Sequence, residues 1–193
     1  MEAVQVRPPH PPDDAIEAQQ TTSDFVECYL MHYGRLVKAL QLGGADPATA
    51  EDLAQESFAR ALARWRRVSK GTNPPGYVYT TGFRLLQRSH RKSARTQAGG
   101  FPEGSVGASG SSRSLGVAGV VPGVDASATF TVALEEALAA MPPKRRACAV
   151  LCLVVGMSVH EAGEALRIAD GTVRKHLDEA RRDLRVVWNP DDQ

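Results

Sequence analysis

A long stretch of glycine, serine and proline divides this chain and limits what it can fold into. The segment TQAGGFPEGSVGASGSSRSLGVAGVVPGVDAS, residues 96–127, is dominated by residues that cannot build a packed core, and this composition is typical of a flexible linker. We therefore expect a linker over residues 96–128 between two folded units, residues 22–95 and 129–188. Each unit is short, so each depends on a compact core.

The two ends of the chain and its cysteines predict little chemistry. Residues 1–21 lack apolar periodicity and are expected to form a disordered leader, and residues 189–193 a short tail. Cys28, Cys148 and Cys152 form no CxxC pair, so we expect buried thiols in a reducing cytoplasm, with no metal and no cofactor. No apolar stretch approaches the length of a membrane span, and no signal peptide is seen.

Both units show apolar residues at helical spacing, and no segment alternates with the period of a strand. The sequence thus predicts an all-α fold, with a bundle of three to four helices first. Its helices are expected after a cap at Asp24, after Asp46-Pro47, and from about Pro75 to Arg95. The predicted inward residues are Phe25, Tyr29, Leu36, Val37 and Leu40, then Leu53, Phe58, Ala61, Leu62 and Trp65, then Val78, Leu85 and Leu86.

The second unit has the proportions of a helix-turn-helix bundle. An apolar helix from Pro143 is expected to end at Gly156, and Ser158 with Glu161 matches a capping box. The last helix, capped by Asp170, follows a short RIAD turn. The small Gly163 before that turn allows two helices to approach closely.

Two basic segments favour a polyanionic partner. Between residues 73 and 102 there is no acid but five bases, while the helix at residues 170–185 has five bases against four acids. In that helix Thr172 suits a phosphate at the helix start, and the other candidates for base edges or phosphates are Arg174, Lys175, His176, Arg181 and Arg182. A solvated helix in an ordinary bundle remains the alternative.

Three segments resemble bacterial RNA polymerase sigma factors. AEDLAQESFARALARWRRV at 50–68 resembles the polymerase-binding segment of that family, and NPPGYVYTTGFRLLQRSHRK at 73–92 resembles the promoter −10 helix that follows it. ALAAMPPKRRACAVLCLVVGMSVHEAGEALRIADGTVRKHLDEAR is similar to the −35 domain. The order and the small two-unit layout resemble the extracytoplasmic-function (ECF) branch, and the Ala/Arg-rich style resembles actinobacterial members.

The resemblance implies a non-catalytic subunit that binds core RNA polymerase (β′ and β subunits) and directs transcription initiation at promoter DNA. It places polymerase binding on Asp52, Gln55, Glu56 and Arg60. It places −10 DNA binding on Lys70, Asn73, Tyr77, Tyr79, Arg84, Arg88, Arg91 and Lys92. The rings of Tyr77, Tyr79 and Phe83 are candidates to stack on unpaired bases, and at least one of the three is expected in the core instead. An anti-sigma protein is a further candidate partner.

Four residues depart from the family pattern. Arg84 and Arg88 stand where most ECF factors have Asn and Asp, Arg167 stands where Gly usually precedes the turn, and Glu179 occupies a position that is often basic.

Two other functions stay open from the residues alone: a helix-turn-helix regulator that acts without polymerase, and a protein-interaction bundle. An enzyme is disfavoured, because the sequence has no recognisable nucleophile or P-loop motif.

Overall fold

The computed structural model describes residues 13–98 and 125–188, and within these ranges the secondary structure is entirely helical. The first unit contains α1 (Asp13–Leu42), α2 (Pro47–Leu62), α3 (Trp65–Val68) and α4 (Pro74–Ala98). The second contains α5 (Asp125–Ala140), α6 (Pro143–Ala149), a π-helical turn (Val150–Val154), α7 (Val159–Leu166) and α8 (Asp170–Trp188). The all-α, two-unit prediction is confirmed.

The helix boundaries correct several sequence-based expectations. Because α1 already begins at Asp13, Asp24 lies inside that helix rather than capping it, and residues 13–21 are not an irregular leader. The expected linker loses residues 96–98 to α4 and 125–128 to α5. The remaining linker residues 99–124, the first twelve residues and the tail at 189–193 lie outside the described residues.

The first core forms where α1, α2 and α4 cross. Leu36, Phe58 and Phe83 are almost fully buried there. Gly82 allows the close crossing, because a Cβ at this position would lie 3.1 Å from Leu36 Cδ1. Leu62, predicted to face inward, is 55% exposed instead, because α2 ends at this residue and the chain turns before Trp65 enters the core from α3.

The second core is built around the predicted helix-turn-helix. Ser158 and Glu161 form the predicted capping box at the start of α7. Arg167 ends that helix in the left-handed conformation, with φ 57°, and its backbone N–H donates to Gly163 O. A Cβ on Gly163 would lie 2.9 Å from Ile168 O, so the small residue does permit the tight turn. Asp170 is the first residue of α8 rather than a cap before it.

The two units pack against each other, mainly through α4 and α7. Asn73 Nδ2 donates to Glu161 Oε1 at 2.6 Å, and Arg84 Nη2 donates to Glu164 O at 2.8 Å. Lys38 of α1 and Glu135 of α5 form an ion pair at another part of this contact. The sequence did not predict that the units meet.

Candidate nucleic-acid and polymerase interfaces

The outer side of α2 is a polar surface without a covering element among the described residues. Asp46 caps this helix by accepting a hydrogen bond from Thr49 N at 3.0 Å, and hydrogen bonds from Thr49 hold the pKa of Asp46 below its usual value. The buried side carries Ala54 and Phe58. The exposed side brings together all four residues that the family resemblance assigned to polymerase binding, Asp52, Gln55, Glu56 and Arg60.

Within that surface, Glu56 and Arg60 are one helical turn apart and form an ion pair. Arg60 Nε lies 2.6 Å from Glu56 Oε1, and both side chains are about half exposed. An exposed pair of this kind contributes only ~0.3–0.5 kcal/mol to stability. The pair can therefore be exchanged for contacts with another protein at little cost to the fold.

The turn before α4 is fixed by Asn73. Its side-chain Oδ1 accepts a hydrogen bond from Gly76 N at 2.8 Å, which satisfies a backbone donor at the start of α4. A Cβ on Gly76 would lie 2.5 Å from Asn73 Nδ2, so a side chain at this position would displace the Asn73 amide. Lys70 is exposed beside this turn. The turn is thus a defined surface that presents polar and cationic groups beside the start of α4.

The aromatic residues of α4 divide into one accessible ring and two core rings. Tyr79 is only 4% exposed and makes an edge-to-face contact with His32, and Phe83 is fully buried. The prediction that Tyr79 stacks on an unpaired base is therefore wrong for this structure. Phe83 is likewise a core ring, which agrees with the expectation that at least one of the three rings lies in the core. These two rings were assigned to DNA from their positions in the family motif, but both lie on the side of α4 that packs into the core. Tyr77 is half-buried and lines the cleft between α4 and α7.

The bases of α4 lie in two environments. The side chains of Arg88, Arg91 and Lys92 are exposed along the second half of the helix, on a segment that has no carboxylate. Arg84 is half-buried because it reaches α7, and its Nε is buried without a hydrogen-bond partner among the described residues. Arg88, Arg91 and Lys92 are therefore placed to meet a phosphate backbone, whereas Arg84 is engaged by α7.

The charges of α8 are sorted onto two sides of the helix. The buried stripe is formed by Val173, Leu177 and Ala180. One exposed side, which we call the cationic face, carries five bases and a single acid, Asp178; the bases are Arg174, Lys175, Arg181, Arg182 and Arg185. The apparent balance of five bases against four acids therefore does not describe the surface that a duplex would meet.

Two of the other acids lie on the flank of α8 that faces α6. Arg145 of α6 donates to Glu179 Oε2 at 2.8 Å and to Asp183 Oδ2 at 2.7 Å. Partial burial acts to raise the pKa of Glu179, but hydrogen bonds and charge from Arg145 outweigh it and lower that pKa. The hydrogen bond to Asp183 correspondingly raises the pKa of Arg145. The atypical Glu179 is thus held by a partner that sequence reasoning missed.

The predicted −35 residues do not all share one face. Thr172 is exposed at the start of α8, and Arg174, Lys175, Arg181 and Arg182 are exposed on the cationic face. His176 differs, because it is half-buried on the α6 flank with its Nδ1 3.6 Å from Glu179 Oε2. Its position makes it the least accessible of the predicted base-reading side chains.

The described parts of the chain contain neither a metal-binding cluster nor a membrane-spanning helix. No cluster of three or more metal-ligating side chains occurs there. Within residues 13–98 and 125–188, no helix is both long and apolar enough to cross a membrane. The fold and these surfaces together define the class of protein. It is a two-unit helical protein with a helix-turn-helix and with cationic helix faces in both units.

Comparisons with known proteins identify the family of this class. Sigma-70 region 2 matches residues 26–96 and sigma-70 region 4 matches residues 131–184. The chain therefore belongs to the sigma-70 family. It is also similar to sigma factors of the ECF branch.

Two curated relatives carry that similarity. The ECF RNA polymerase sigma factor SigE of Mycolicibacterium smegmatis is 28% identical over 179 residues, which cover 89% of this chain and 64% of SigE. The ECF RNA polymerase sigma factor EcfG of Rhodopseudomonas palustris is 28% identical over 145 residues, 75% of this chain and 73% of EcfG. The chain thus spans less than two thirds of the length of SigE.

Two solved structures share the fold. The sigma factor RpoE from Bartonella quintana, in complex with the anti-sigma factor NepR, aligns with a TM-score of 0.62 and 22% identity, covering 87% of this chain and 98% of RpoE. CnrH in complex with the cytosolic domain of CnrY aligns with a TM-score of 0.54 and 18% identity, covering 94% of this chain and all of CnrH.

Proposed function

We propose that this chain is a sigma factor that binds core RNA polymerase and directs promoter recognition and transcription initiation. The observation that carries the proposal is the combination, in one chain, of an uncovered polar face on α2 in region 2 and a cationic face on α8 in region 4. A helix-turn-helix regulator that acts alone would need only the second. The protein is then a non-catalytic subunit, and it acts in the cytoplasm, where core polymerase is found.

Each surface has a separate task under this proposal. The α2 face, with Asp52, Gln55, Glu56 and Arg60, binds the coiled coil of the β′ subunit. The turn before α4, with Lys70, Asn73 and Tyr77, meets the −10 element, and the exposed bases of α4 hold its backbone. The cationic face of α8 reads the −35 element in the major groove.

The contact between the two units adds a requirement. In the structure α7 occupies the surface that Asn73 and Arg84 would offer to −10 DNA, through the hydrogen bonds to Glu161 and Glu164. The two units must therefore separate before Asn73 and Arg84 can meet DNA, whereas the exposed bases in the second half of α4 are already accessible. These hydrogen bonds lie at an exposed contact, so they can be exchanged for phosphate contacts.

An anti-sigma protein is proposed as the second partner class. In the two solved structures that share the fold, RpoE is bound to the anti-sigma factor NepR, and CnrH is bound to the cytosolic domain of CnrY. A partner that binds both units in their packed arrangement would keep α7 on α4. It would thereby withhold the −10 surface from DNA.

The polymerase assignment is tested on the α2 face. Gln55→Ala combined with Glu56→Ala should weaken the affinity for core polymerase in a fluorescence competition assay and leave the helical circular dichroism unchanged. Glu136→Ala, which removes one exposed carboxylate from α5, is the matched control and should bind as the wild type does. Wild-type affinity in the double variant would show that α2 does not bind polymerase.

A further inference from the structure

The ion pairs between α6 and α8 bear on how region 4 reads DNA, and this inference rests on the −35 function proposed above. Arg145 reaches two carboxylates one helical turn apart on α8, with both of its terminal nitrogens and Nε engaged. Its side chain is 24% exposed, and that of Glu179 is 28% exposed. This burial gives the pair a more fixed geometry than that of an open surface pair.

Glu179 has other potential partners on its own helix. Lys175 lies four residues before it and Arg182 three residues after it, and pairs at these spacings are neighbours on a helix surface. Lys175 already lowers the pKa of Glu179 through its charge. Both bases belong to the cationic face. A Glu179 side chain released from Arg145 would therefore compete with DNA phosphates for these two bases.

We propose that Arg145 is a positioning residue for −35 recognition, which holds Glu179 and Asp183 on the α6 flank and so leaves Lys175 and Arg182 available to DNA. Arg145 itself makes no DNA contact in this arrangement. Its guanidinium suits the task because the planar fork engages two carboxylates at once, which a lysine ammonium does less well. Arg145 thus compensates for the acid at position 179.

The test uses holoenzyme assembled from core polymerase and the full chain, on a promoter selected by the wild-type holoenzyme from a library with a randomised −35 element. Affinity for this promoter is compared with affinity for a scrambled −35 version, over a range of salt concentrations. Arg145→Ala should reduce the preference for the selected −35 element by about tenfold, the scale of one lost side-chain contact. It should also lower the slope of log K against log salt by about one unit.

A second substitution that restores −35 recognition distinguishes a positioning role of Arg145 from its other possible roles. Arg145→Ala with Glu179→Gln removes more of the ion-pair network, yet it should restore both the preference and the slope, because no carboxylate at 179 is left to compete. Arg145→Lys should fall between the wild type and Arg145→Ala. Lys144→Ala removes the same charge from an exposed neighbour on α6 and should behave as the wild type does.

The outcomes distinguish this inference from the function on which it rests. If the wild-type holoenzyme selects no −35 sequence, the proposed function fails and the inference falls with it. If the wild type selects a sequence but Arg145→Ala matches it, only the inference is overturned. The same holds if Lys144→Ala shows the same loss, or if the double variant does not recover, since Arg145 would then act through general charge, a direct phosphate contact or the fold.

Discussion

Replacing Gly163 with alanine tests the geometry of the helix-turn-helix most sharply. A Cβ at this position would lie 2.9 Å from Ile168 O and 3.0 Å from Asp170 Oδ1. The first of these atoms is backbone, and the same turn is tied back to α7 by the hydrogen bond from Ile168 N to Gly163 O at 3.0 Å. The turn therefore has to shift as a whole to admit the methyl group.

The expected cost follows from two opposing terms. Overpacking of a tight site costs about 1–3 kcal/mol. Alanine in a helix interior regains about 0.5–1 kcal/mol relative to glycine. Mid-range values, about 2 kcal/mol of overpacking against about 0.75 kcal/mol regained, leave a fall of about 1 kcal/mol in the free energy of unfolding of the second unit. This corresponds to roughly 4–8 °C in Tm for a unit of this size.

Guanidinium unfolding followed by far-UV circular dichroism measures this loss. Gly171→Ala is the matched control at the start of α8. Apart from the glycine itself, its two chain neighbours and the local helix backbone, no heavy atom of the described residues lies within 4 Å of the added Cβ. That variant should be as stable as the wild type or slightly more stable. A Gly163→Ala chain within 0.5 kcal/mol of the wild type would refute the close approach of α7 to the turn.

Three further predictions concern the same unit. Arg167→Gly should stabilise it by about 1 kcal/mol in the same unfolding assay, because φ is 57° there and glycine adopts this conformation without a Cβ penalty; a loss of stability would contradict that reason. Ser158→Ala should cost about 1 kcal/mol by removing the capping hydrogen bond that Glu161 N donates to Ser158 Oγ, and an unchanged midpoint would show that the box contributes nothing. Burial raises the pKa of the Cys148 thiol to about 12. Iodoacetamide at pH 8 should therefore label Cys148 far more slowly in the folded than in the unfolded chain. Mass spectrometry measures both labelling rates, and equal rates would contradict the burial of Cys148.

Local signals in the sequence were sufficient to predict much of the fold. Helix caps are short-range devices, and Asp46 and the Ser158–Glu161 box lie where the pattern of side chains put them. Gly163 was expected to allow a close approach of helices, and its surroundings leave no room for a methyl group. The exposed face of α2 also followed from helical spacing, since a residue's face depends only on its position along the helix.

Long-range contacts could not be predicted in the same way. The pairing of Arg145 with Glu179 joins residues on different helices, and nothing in the local pattern of either helix specifies the partner. The same is true of Arg84, whose carbonyl partner lies on α7 in the other unit. The errors at Leu62 and Tyr79 have a related cause, because the end of α2 and the crossing of α1 with α4 decide which side chains reach the core.

Transcription in vitro with purified core RNA polymerase tests the central claim most directly. Core polymerase with the full chain should start transcription at defined positions on a promoter library, with a shared −35 and −10 sequence upstream of the mapped start sites. Core polymerase alone should give no such defined starts. If adding the chain leaves the pattern of starts unchanged, while the chain is folded and binds DNA by itself, it does not act as a sigma factor and the polymerase-independent regulator becomes the better description.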